Sequence, residues 1–183
     1  MGNTANTHCQ VSPRQKAAME RLRDRRIAVL GIGVTNLSVI RFLVKAGATV
    51  VAYDQKSPPE LERELKMLEG LPVSFRLGRD YLQGLAEGEF DMFFPTPGMP
   101  RDIPELVELR RRGIEESSEI KLFFELCEAP IVGITGSDGK TTTTTLVGEV
   151  LKAAGKKAFV GGNIGNPLLP EVFKIPPESV VVL

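Results

Sequence analysis

The chain lacks most of the features that mark secreted and membrane proteins. Its 183 residues include two cysteines, Cys9 and Cys127, too few for a disulfide framework, so we expect free thiols in a reducing compartment. No apolar run approaches the roughly 18 residues that a membrane-spanning helix needs. The polar first residues do not follow the basic-then-apolar pattern of a signal peptide. We therefore expect a cytoplasmic protein with no membrane partner.

The chain also has no net charge. Its 23 basic and 23 acidic side chains cancel at pH 7, which argues against the broad basic face that nucleic acid would require. The single histidine, His8, lies in a polar N-terminal stretch and is assigned no role. A hydrophobic content of 42% is sufficient for a packed core. The length lies between one and two domains, at roughly 100–200 residues each.

The most informative segment is glycine-rich and reads GITGSDGKTT at residues 133–142. A strand is predicted before it, over 129–134, and a helix after it, over 143–154. A turn between such elements directs several backbone N–H groups and the positive end of a helix dipole at one point. Lys140 adds a mobile cation, and a nearby threonine hydroxyl suits Mg²⁺. The segment predicts a nucleoside triphosphate site.

This segment departs from the strict G-x-x-x-x-G-K-[ST] pattern. That pattern would need glycine where the chain has Ile134, since the glycines lie at positions 133, 136 and 139. A turn that merely joins two elements is the alternative interpretation. A strand before the turn, Gly-Lys-Thr within it and a helix after it favour the triphosphate site.

The first glycine turn in the chain, Gly31-x-Gly33, follows a predicted strand at 26–31, and the segment at 133–142 is the second. Asp54 ends the next predicted strand, where an acidic residue commonly meets a ribose. The third glycine of the dinucleotide fingerprint is replaced by Asn36, and an incomplete fingerprint is weak. Three interpretations stay open: NAD binding, binding of another nucleotide diphosphate, and a structural turn. The downstream triphosphate loop favours the second.

Predicted strands alternate with predicted helices along the whole chain, which indicates an α/β fold with doubly wound parallel sheets. We expect a Rossmann-like N-terminal domain followed by the beginning of a P-loop ATPase α/β domain. The expected divisions are a tail and short helix at 1–25, the Rossmann-like domain at 26–116 and the incomplete second domain at 117–183. Because the final apolar run at 179–183 has the pattern of a buried strand, we expect the chain to be part of a larger protein.

With both glycine turns in view, the chain resembles the Mur ligases. The resemblance rests on GIGVT at 31–35, the Pro97-Gly98 turn, GITGSDGKTT at 133–142 and GGNIG at 161–165, and it covers nearly all of residues 26–183. It implies a monomeric three-domain enzyme with a UDP-binding domain, a central ATPase domain and a C-terminal domain for the incoming amino acid. This chain would hold the first domain and the opening of the second.

The resemblance also implies a reaction. ATP and Mg²⁺ would serve to join D-glutamate to UDP-N-acetylmuramoyl-L-alanine through an acyl phosphate, in the cytoplasmic synthesis of peptidoglycan precursors that supports cell shape and division. The family's Glu-Ser-Ser segment with a Mg²⁺ ligand, its carboxylated lysine and its metal-binding histidine are not in this sequence. We therefore expect the chain alone to be inactive.

Site residues follow from the resemblance in two groups. For ATP, Lys140 would hold the β- and γ-phosphates, the loop residues would cradle them, and Thr141 or Thr142 would bind Mg²⁺; the loop residues are Gly136, Ser137, Asp138 and Gly139. Asn163 would meet the UDP substrate near the reacting carboxylate, and Lys140 and Asn163 are the expected catalytic residues. For Asn163 the alternative is an ordinary turn residue.

The UDP substrate would occupy the carboxyl edge of the first sheet. Three segments are expected there: Gly33, Val34 and Thr35 at the diphosphate; Asp54, Gln55 and Lys56 around uracil and ribose; and Thr96, Pro97 and Gly98 closing the site. A solvated strand end is the alternative for Asp54.

Three other functions compete with the leading one. A folate polyglutamylation ligase has no N-terminal UDP domain, so the 26–115 segment argues against it. An NAD-dependent dehydrogenase leaves Lys140 and its loop unexplained. A nucleotide-binding module for UDP-sugar or ATP, without catalysis, is the remaining alternative.

Overall fold

The computed structural model describes residues 11–161 and 167–183. The chain forms two compact units. One unit is Met19–Phe124, and the other combines the described residues up to Ala18 with Glu125–Leu183. Helix α1 (Pro13–Leu22) therefore begins in one unit and ends in the other.

The unit Met19–Phe124 contains a five-stranded parallel sheet with the order β3-β2-β1-β4-β5. Its strands are β1 (Arg26–Leu30), β2 (Thr49–Asp54), β3 (Val73–Leu77), β4 (Met92–Pro95) and β5 (Glu115–Glu116). Its helices are α2 (Val34–Lys45), a 3-10 turn at Pro58–Leu61, α3 (Glu62–Met67) and α4 (Pro104–Arg111). The predicted α/β class with a parallel sheet is confirmed.

The central strands are apolar because both faces of the sheet are covered. In β1, the four residues after Arg26 are fully buried, and Phe93 and Phe94 of β4 are equally buried. A core cluster on this sheet joins Ala28, Leu30, Val51, Tyr53, Leu85, Phe90, Phe93, Leu106 and Leu109. Strand β1 lies between β2 and β4. Strands β2 and β3 extend the sheet on one side of β1, and β4 and β5 extend it on the other, so the strand order switches at β1. Ligands of such sheets bind at the carboxyl ends of the strands beside this switch point.

Helix α2 covers the sheet with an apolar face that includes Leu37, Ile40 and Leu43. It ends at Lys45, and Gly47, two residues later, has a φ of +87°, which glycine adopts readily. The N–H of Ala48 donates to the Leu43 carbonyl at 3.0 Å and closes the turn into β2. The helix therefore starts at the carboxyl end of β1 and returns the chain to the amino end of β2.

The second unit contains a three-stranded parallel sheet, in the order β6-β8-β7. Its elements are α5 (Glu119–Leu126, shared with the first unit), β6 (Ile131–Val132), α6 (Lys140–Ala153), β7 (Ala158–Val160), a 3-10 helix at Leu169–Lys174 and β8 (Val180–Val182). Gly148 of α6 lies so close to β7 that an added Cβ would be 2.4 Å from Cγ2 of Val160.

Element boundaries differ from the sequence-based expectation in the second unit. Helix α6 starts at Lys140 rather than at residue 143, because Gly139, with φ +73°, ends the loop and acts as the N-cap. Strand β6 covers two of the six residues expected at 129–134. The short β5 and the 3-10 helix at Leu169–Lys174 were not predicted.

Among the described residues, none of the helices has both the length and the apolar character needed to cross a bilayer. Cys127 is a buried free thiol, and burial raises its pKa. Cys9 and His8 lie outside the described residues.

Candidate functional site

The first glycine turn is packed tightly at the carboxyl end of β1. Gly31 has a φ of +90°, and a Cβ added to it would lie 3.0 Å from Cβ of Thr96. The Gly31 N–H donates to the Tyr53 carbonyl at 2.6 Å, and the Thr96 N–H donates to the Leu30 carbonyl at 2.8 Å. Glycine is required here by both the backbone conformation and the close approach. The turn is thereby held against the ends of β2 and β4.

Asn36, which replaces the third glycine of the fingerprint, is buried on α2, with 2% of its surface exposed. Its Nδ2 atom donates to the Leu30 carbonyl at 3.1 Å and to the Gly31 carbonyl at 2.9 Å. In the sequence this residue stands out only as a missing glycine. The signal for its role is a polar side chain on an otherwise apolar helix face, since a buried amide must find partners.

Asp54 is buried, with 8% of its surface exposed, so a solvated strand end is excluded. Its Oδ2 atom accepts a hydrogen bond from the Ile32 N–H at 2.7 Å, and its Oδ1 atom accepts one from the Lys56 N–H at 2.9 Å. The carboxylate therefore joins the loop after β1 to the loop after β2. Hydrogen bonds from backbone N–H groups to a carboxylate are stronger than hydrogen bonds between two neutral groups.

The N-terminus of α2 follows this network directly in the chain. Gly33 is its N-cap and provides no side-chain hydrogen bond, so the first N–H groups of the helix remain available to an anion. Val34 is 67% exposed, and Thr35 is half-buried. On the neighbouring loop, Gln55 and Lys56 are exposed. This edge offers backbone donors, a helix dipole and one flexible cation.

The turn after β4 lies beside the first glycine turn through Thr96. The Met99 N–H donates to the Thr96 carbonyl at 3.0 Å, which closes the turn over Pro97 and Gly98. Both of these residues are exposed. The three segments predicted for the UDP substrate thus end at one edge of a single sheet, since β1, β2 and β4 are parallel neighbours.

A cleft that sequence analysis did not indicate follows β3. Its volume is about 580 Å³, and it is lined by Arg79, Asp80, Tyr81, Leu82, Gln83 and Glu105. The Gly78 N–H donates to the carbonyls of Asp54 and Lys56, both at 3.0 Å, so this segment packs on the loop after β2. Burial, and secondarily the negative charges of Asp54 and Glu105, raise the pKa of Tyr81.

The second glycine turn leads directly into α6. Gly139 is the N-cap and gives no side-chain hydrogen bond. The Lys140 side chain folds back on the turn, and its Nζ atom donates to the Gly136 carbonyl at 2.5 Å and to the Ser137 carbonyl at 3.0 Å. Asp138 and the other residues of the turn are exposed. The arrangement brings an ammonium group to the uncapped positive end of a helix.

The residues of the second glycine turn and of the first turn of α6 fit the phosphates of ATP and a Mg²⁺ ion. Exposed N–H donors at a helix N-terminus and a flexible ammonium group match triphosphate oxygens. Thr141 and Thr142 are exposed in the first turn of α6, where a hydroxyl suits a hard cation. Within residues 11–161 and 167–183, no group of three or more His, Cys, Asp or Glu side chains forms a metal cluster.

Asn163, the remaining predicted site residue, lies outside the described residues. Its described neighbour Gly161 packs against Leu168, with an added Cβ only 2.3 Å from Leu168 Cγ. The Gly161 N–H donates to the Val182 carbonyl at 3.1 Å. Gly161 is therefore held at the carboxyl end of β7, beside β8.

Comparison with known proteins identifies both parts of the chain. A profile for the Mur ligase MurD-like, N-terminal domain matches residues 25–117, and a profile for the Mur ligase middle domain matches residues 134–178. The chain is 51% identical over 160 residues to the UDP-N-acetylmuramoylalanine--D-glutamate ligase of Symbiobacterium thermophilum, covering 87% of this chain and 35% of that enzyme.

Two further relatives carry the same name. The enzyme of Ruminiclostridium cellulolyticum is 46% identical over 162 residues, which cover 88% of this chain and 34% of that enzyme. The enzyme of Acetivibrio thermocellus is 43% identical over 164 residues, which cover 90% of this chain and 35% of that enzyme. The chain thus spans about a third of the length of these relatives. One profile covers the sheet that carries the first glycine turn, and the other runs from the second turn to residue 178, just before β8. The chain therefore belongs to the Mur ligase family.

Proposed function

We propose that this chain is the N-terminal domain and the opening of the middle domain of a cytoplasmic ATP-dependent ligase. The reaction adds D-glutamate to UDP-N-acetylmuramoyl-L-alanine in peptidoglycan precursor synthesis. One observation carries the proposal: two glycine turns each follow a parallel strand and lead into a helix whose N-terminus has no side-chain cap. The ligase name shared by relatives 43–51% identical to this chain supports the choice of substrates.

In the unit Met19–Phe124, the UDP diphosphate is assigned to the N-terminus of α2. Backbone donors from Gly33 to Thr35 would share its negative charge with the helix dipole. Uracil and ribose are assigned to Asp54, Gln55 and Lys56, and the turn Thr96–Gly98 would close the site. This arrangement would hold the substrate by its nucleotide and leave its acyl end free to reach other parts of the enzyme.

In the second unit, the turn Gly136–Gly139 and Lys140 are assigned to the ATP phosphates, and the hydroxyl of Thr141 or Thr142 to Mg²⁺. Bound ATP would supply the γ-phosphoryl group that turns an unreactive carboxylate into an acyl phosphate, with ADP as the leaving group, and attack by the amine of D-glutamate would release phosphate. The chain's own contribution is positioning and charge neutralisation, because two anions must be held together. Lys140 would exchange its contacts with the loop carbonyls for phosphate oxygens. Asn163 is assigned to the UDP substrate near its carboxylate.

The first test is calorimetric binding of UDP-N-acetylmuramoyl-L-alanine and, separately, of NADH to the 183-residue chain. Binding of the UDP compound without binding of NADH supports the substrate-domain assignment. Binding of NADH would contradict it, because the first turn would then serve a dinucleotide. Lack of binding by both compounds would also contradict a self-sufficient site in this unit.

A second test separates a ligase from a nucleotide-binding module without catalysis. Phosphate release that depends on D-glutamate is expected only when the regions present in the relatives and missing here are added. Release by the 183-residue chain alone would contradict the assignment of the remaining chemistry to those regions. A full-length protein that binds both nucleotides and releases no phosphate would be a binding module.

A further inference from the structure

The turn after β1 is held between two buried polar side chains that come from different elements. From α2, Asn36 donates to the carbonyls of Leu30 and Gly31. From the end of β2, Asp54 accepts from the N–H of Ile32. Three consecutive residues, Leu30 to Ile32, are therefore fixed by side chains immediately before Gly33, the N-cap of α2.

Asn36 is the unexpected member of this pair. In the dinucleotide fingerprint this position carries a glycine, which permits close packing of helix on strand. Here the side chain is 2% exposed and lies on the face of α2 that also buries Leu37 and Ile40. A buried amide is tolerated only when it is hydrogen-bonded. Because its donors are directed at the strand end rather than at solvent, Asn36 does not itself meet a ligand.

We propose that Asn36 is a positioning residue, which fixes the turn Leu30–Gly33 so that the N–H groups at the start of α2 are presented to the substrate's diphosphate. The inference rests on the proposed function and adds to it the residue that pre-forms the site. Two glycines make the turn intrinsically free to move. A turn that is already ordered loses less conformational entropy when an anion binds, so ordering raises affinity.

The test uses the ¹⁵N-labelled 183-residue chain titrated with UDP-N-acetylmuramoyl-L-alanine, with amide chemical shifts giving the dissociation constant. In Asn36→Ala both hydrogen bonds are lost, while alanine retains or improves the helix propensity of α2. We expect affinity to fall about 10-fold, as estimated from the loss of two ordinary hydrogen bonds. In Asn36→Asp the side chain keeps its size but turns a carboxylate oxygen toward two carbonyls, and the loss should be at least as large.

The matched control is Ser38→Ala, on the same helix. The Ser38 Oγ atom donates to the Thr35 carbonyl at 2.6 Å, and the residue is also buried, with 8% of its surface exposed. This hydrogen bond lies within α2 and is not made to Leu30–Gly33, so its loss should change the dissociation constant less than about 2-fold. Hydrogen exchange of the Ile32 amide provides a second measurement without ligand: it should accelerate in both Asn36 variants and stay unchanged in Ser38→Ala.

The outcomes separate this inference from the proposed function. If the wild-type chain does not bind the UDP compound, the proposed function fails, and the positioning role fails with it. If the wild type binds and Asn36→Ala binds within about 2-fold of it, the positioning role alone is overturned. Faster exchange at Ile32 with unchanged affinity would likewise reduce Asn36 to a purely structural group. Weaker binding and faster exchange, in the Asn36 variants only, would establish the inference.

Discussion

The carboxylate of Asp54 accepts a hydrogen bond from the backbone N–H of Ile32 over 2.7 Å, and so ties the second strand of the sheet to the glycine turn of the first. At the opposite edge of the same sheet, Asp91 accepts from the N–H of Arg26 at 2.8 Å. Each carboxylate therefore holds one end of β1. Only Asp54 lies at the carboxyl edge, where the candidate substrate site is, and this difference allows structure and binding to be tested separately.

Replacement of Asp54 by alanine should weaken binding of UDP-N-acetylmuramoyl-L-alanine about 10-fold or more, because the N–H groups of Ile32 and Lys56 lose their acceptor and both loops loosen. The free energy of unfolding of this unit should fall by about 1–3 kcal/mol. ATP binding should not change, since Lys140 and its turn belong to the other unit. Calorimetry with each ligand measures both effects.

Asp91→Ala is the matched control for this prediction. It removes a similar backbone contact and an ion pair with Arg25 at 2.7 Å, so it should also lower stability. It should leave affinity for the UDP compound within about 2-fold of wild type. Equal weakening of UDP-substrate and ATP binding by Asp54→Ala would contradict the assignment of the two ligands to separate units.

Replacement of Lys140 by alanine should abolish turnover in the full-length enzyme and weaken ATP binding to this chain at least about 10-fold. The reason is the loss of the cation at the uncapped N-terminus of α6, where the phosphates are proposed to bind. The fold should persist, because Lys140 is exposed and its contacts are with carbonyls of its own turn. Phosphate release and ATP calorimetry are the measurements.

Lys152→Ala provides the comparison on the same helix. Lys152 pairs with Glu149 at 2.8 Å on an exposed face, and such a surface pair contributes little stability. Its removal should leave ATP binding and turnover unchanged. Near-normal turnover in Lys140→Ala would refute the phosphate role of this residue.

The main elements of both sheets could be predicted because their apolar patterns are local. The strand predicted at 26–31 is β1, Arg26–Leu30, and the next one, predicted to end at Asp54, is β2, Thr49–Asp54. The start of α6 was predicted three residues late, since a run of β-branched threonines has low helix propensity and the left-handed Gly139 is a property of the folded turn. The two-residue β5 is too short to show any pattern.

The internal contacts of the candidate site could not be predicted in the same way. The glycine turn and Asp54 were found from motif spacing, but the partners of Asp54 depend on how two loops fold onto each other. The bonds from Asn36 to carbonyls five and six residues earlier in the chain depend on the positive φ of Gly31. A local pattern identifies the residue type at such a position, whereas its hydrogen-bond partners are set by tertiary structure.

Stability of the unit Met19–Phe124 should fall in acid partly through Asp91. The hydrogen bond from the Arg26 N–H, and after it that from the Arg25 guanidinium, hold the pKa of the Asp91 carboxyl below its ordinary value of 3.8. As the pH falls, the Asp91 carboxyl is protonated first in the unfolded chain, whose pKa is the ordinary one. The stabilisation that this group contributes above the unfolded pKa is therefore lost as the pH falls through the lower pKa of the folded state. Denaturation of wild type and Asp91→Asn from about pH 6 to about pH 3 measures this loss.

The asparagine variant should be less stable near neutral pH and should lose less stability in acid than wild type. Arg25→Gln, which leaves the contact with the Arg26 N–H, should lie between the two. If the free energy of unfolding of Asp91→Asn falls with decreasing pH as steeply as that of wild type, other carboxylates account for the whole effect. Glu60 and Glu108, whose pKa values are also lowered by hydrogen bonds, would then be the first to replace.

Replacement of Gly148 by alanine should destabilise the second unit, against the usual direction for a helix interior. Alanine in place of glycine normally stabilises a helix by about 1 kcal/mol. At Gly148 the added methyl would lie 2.4 Å from Cγ2 of Val160, so α6 must move away from β7 or the valine must leave its rotamer. Overpacking of this kind costs about 1–3 kcal/mol, and we expect it to exceed the gain in helix propensity. Thermal or chemical denaturation of this unit measures the difference.

A double-mutant cycle with Val160→Ala identifies the cause. If the clash is responsible, Gly148→Ala should cost less, or should even stabilise, once Val160 is shortened, and the cycle should show a coupling of about 1 kcal/mol or more. Stabilisation by Gly148→Ala in the wild-type background would contradict the close packing of α6 on β7. An additive cycle would assign the loss to some cause other than Val160. Because α6 carries Lys140 at its first residue, a helix displaced from β7 should also bind ATP more weakly, and the double variant should recover that affinity together with stability.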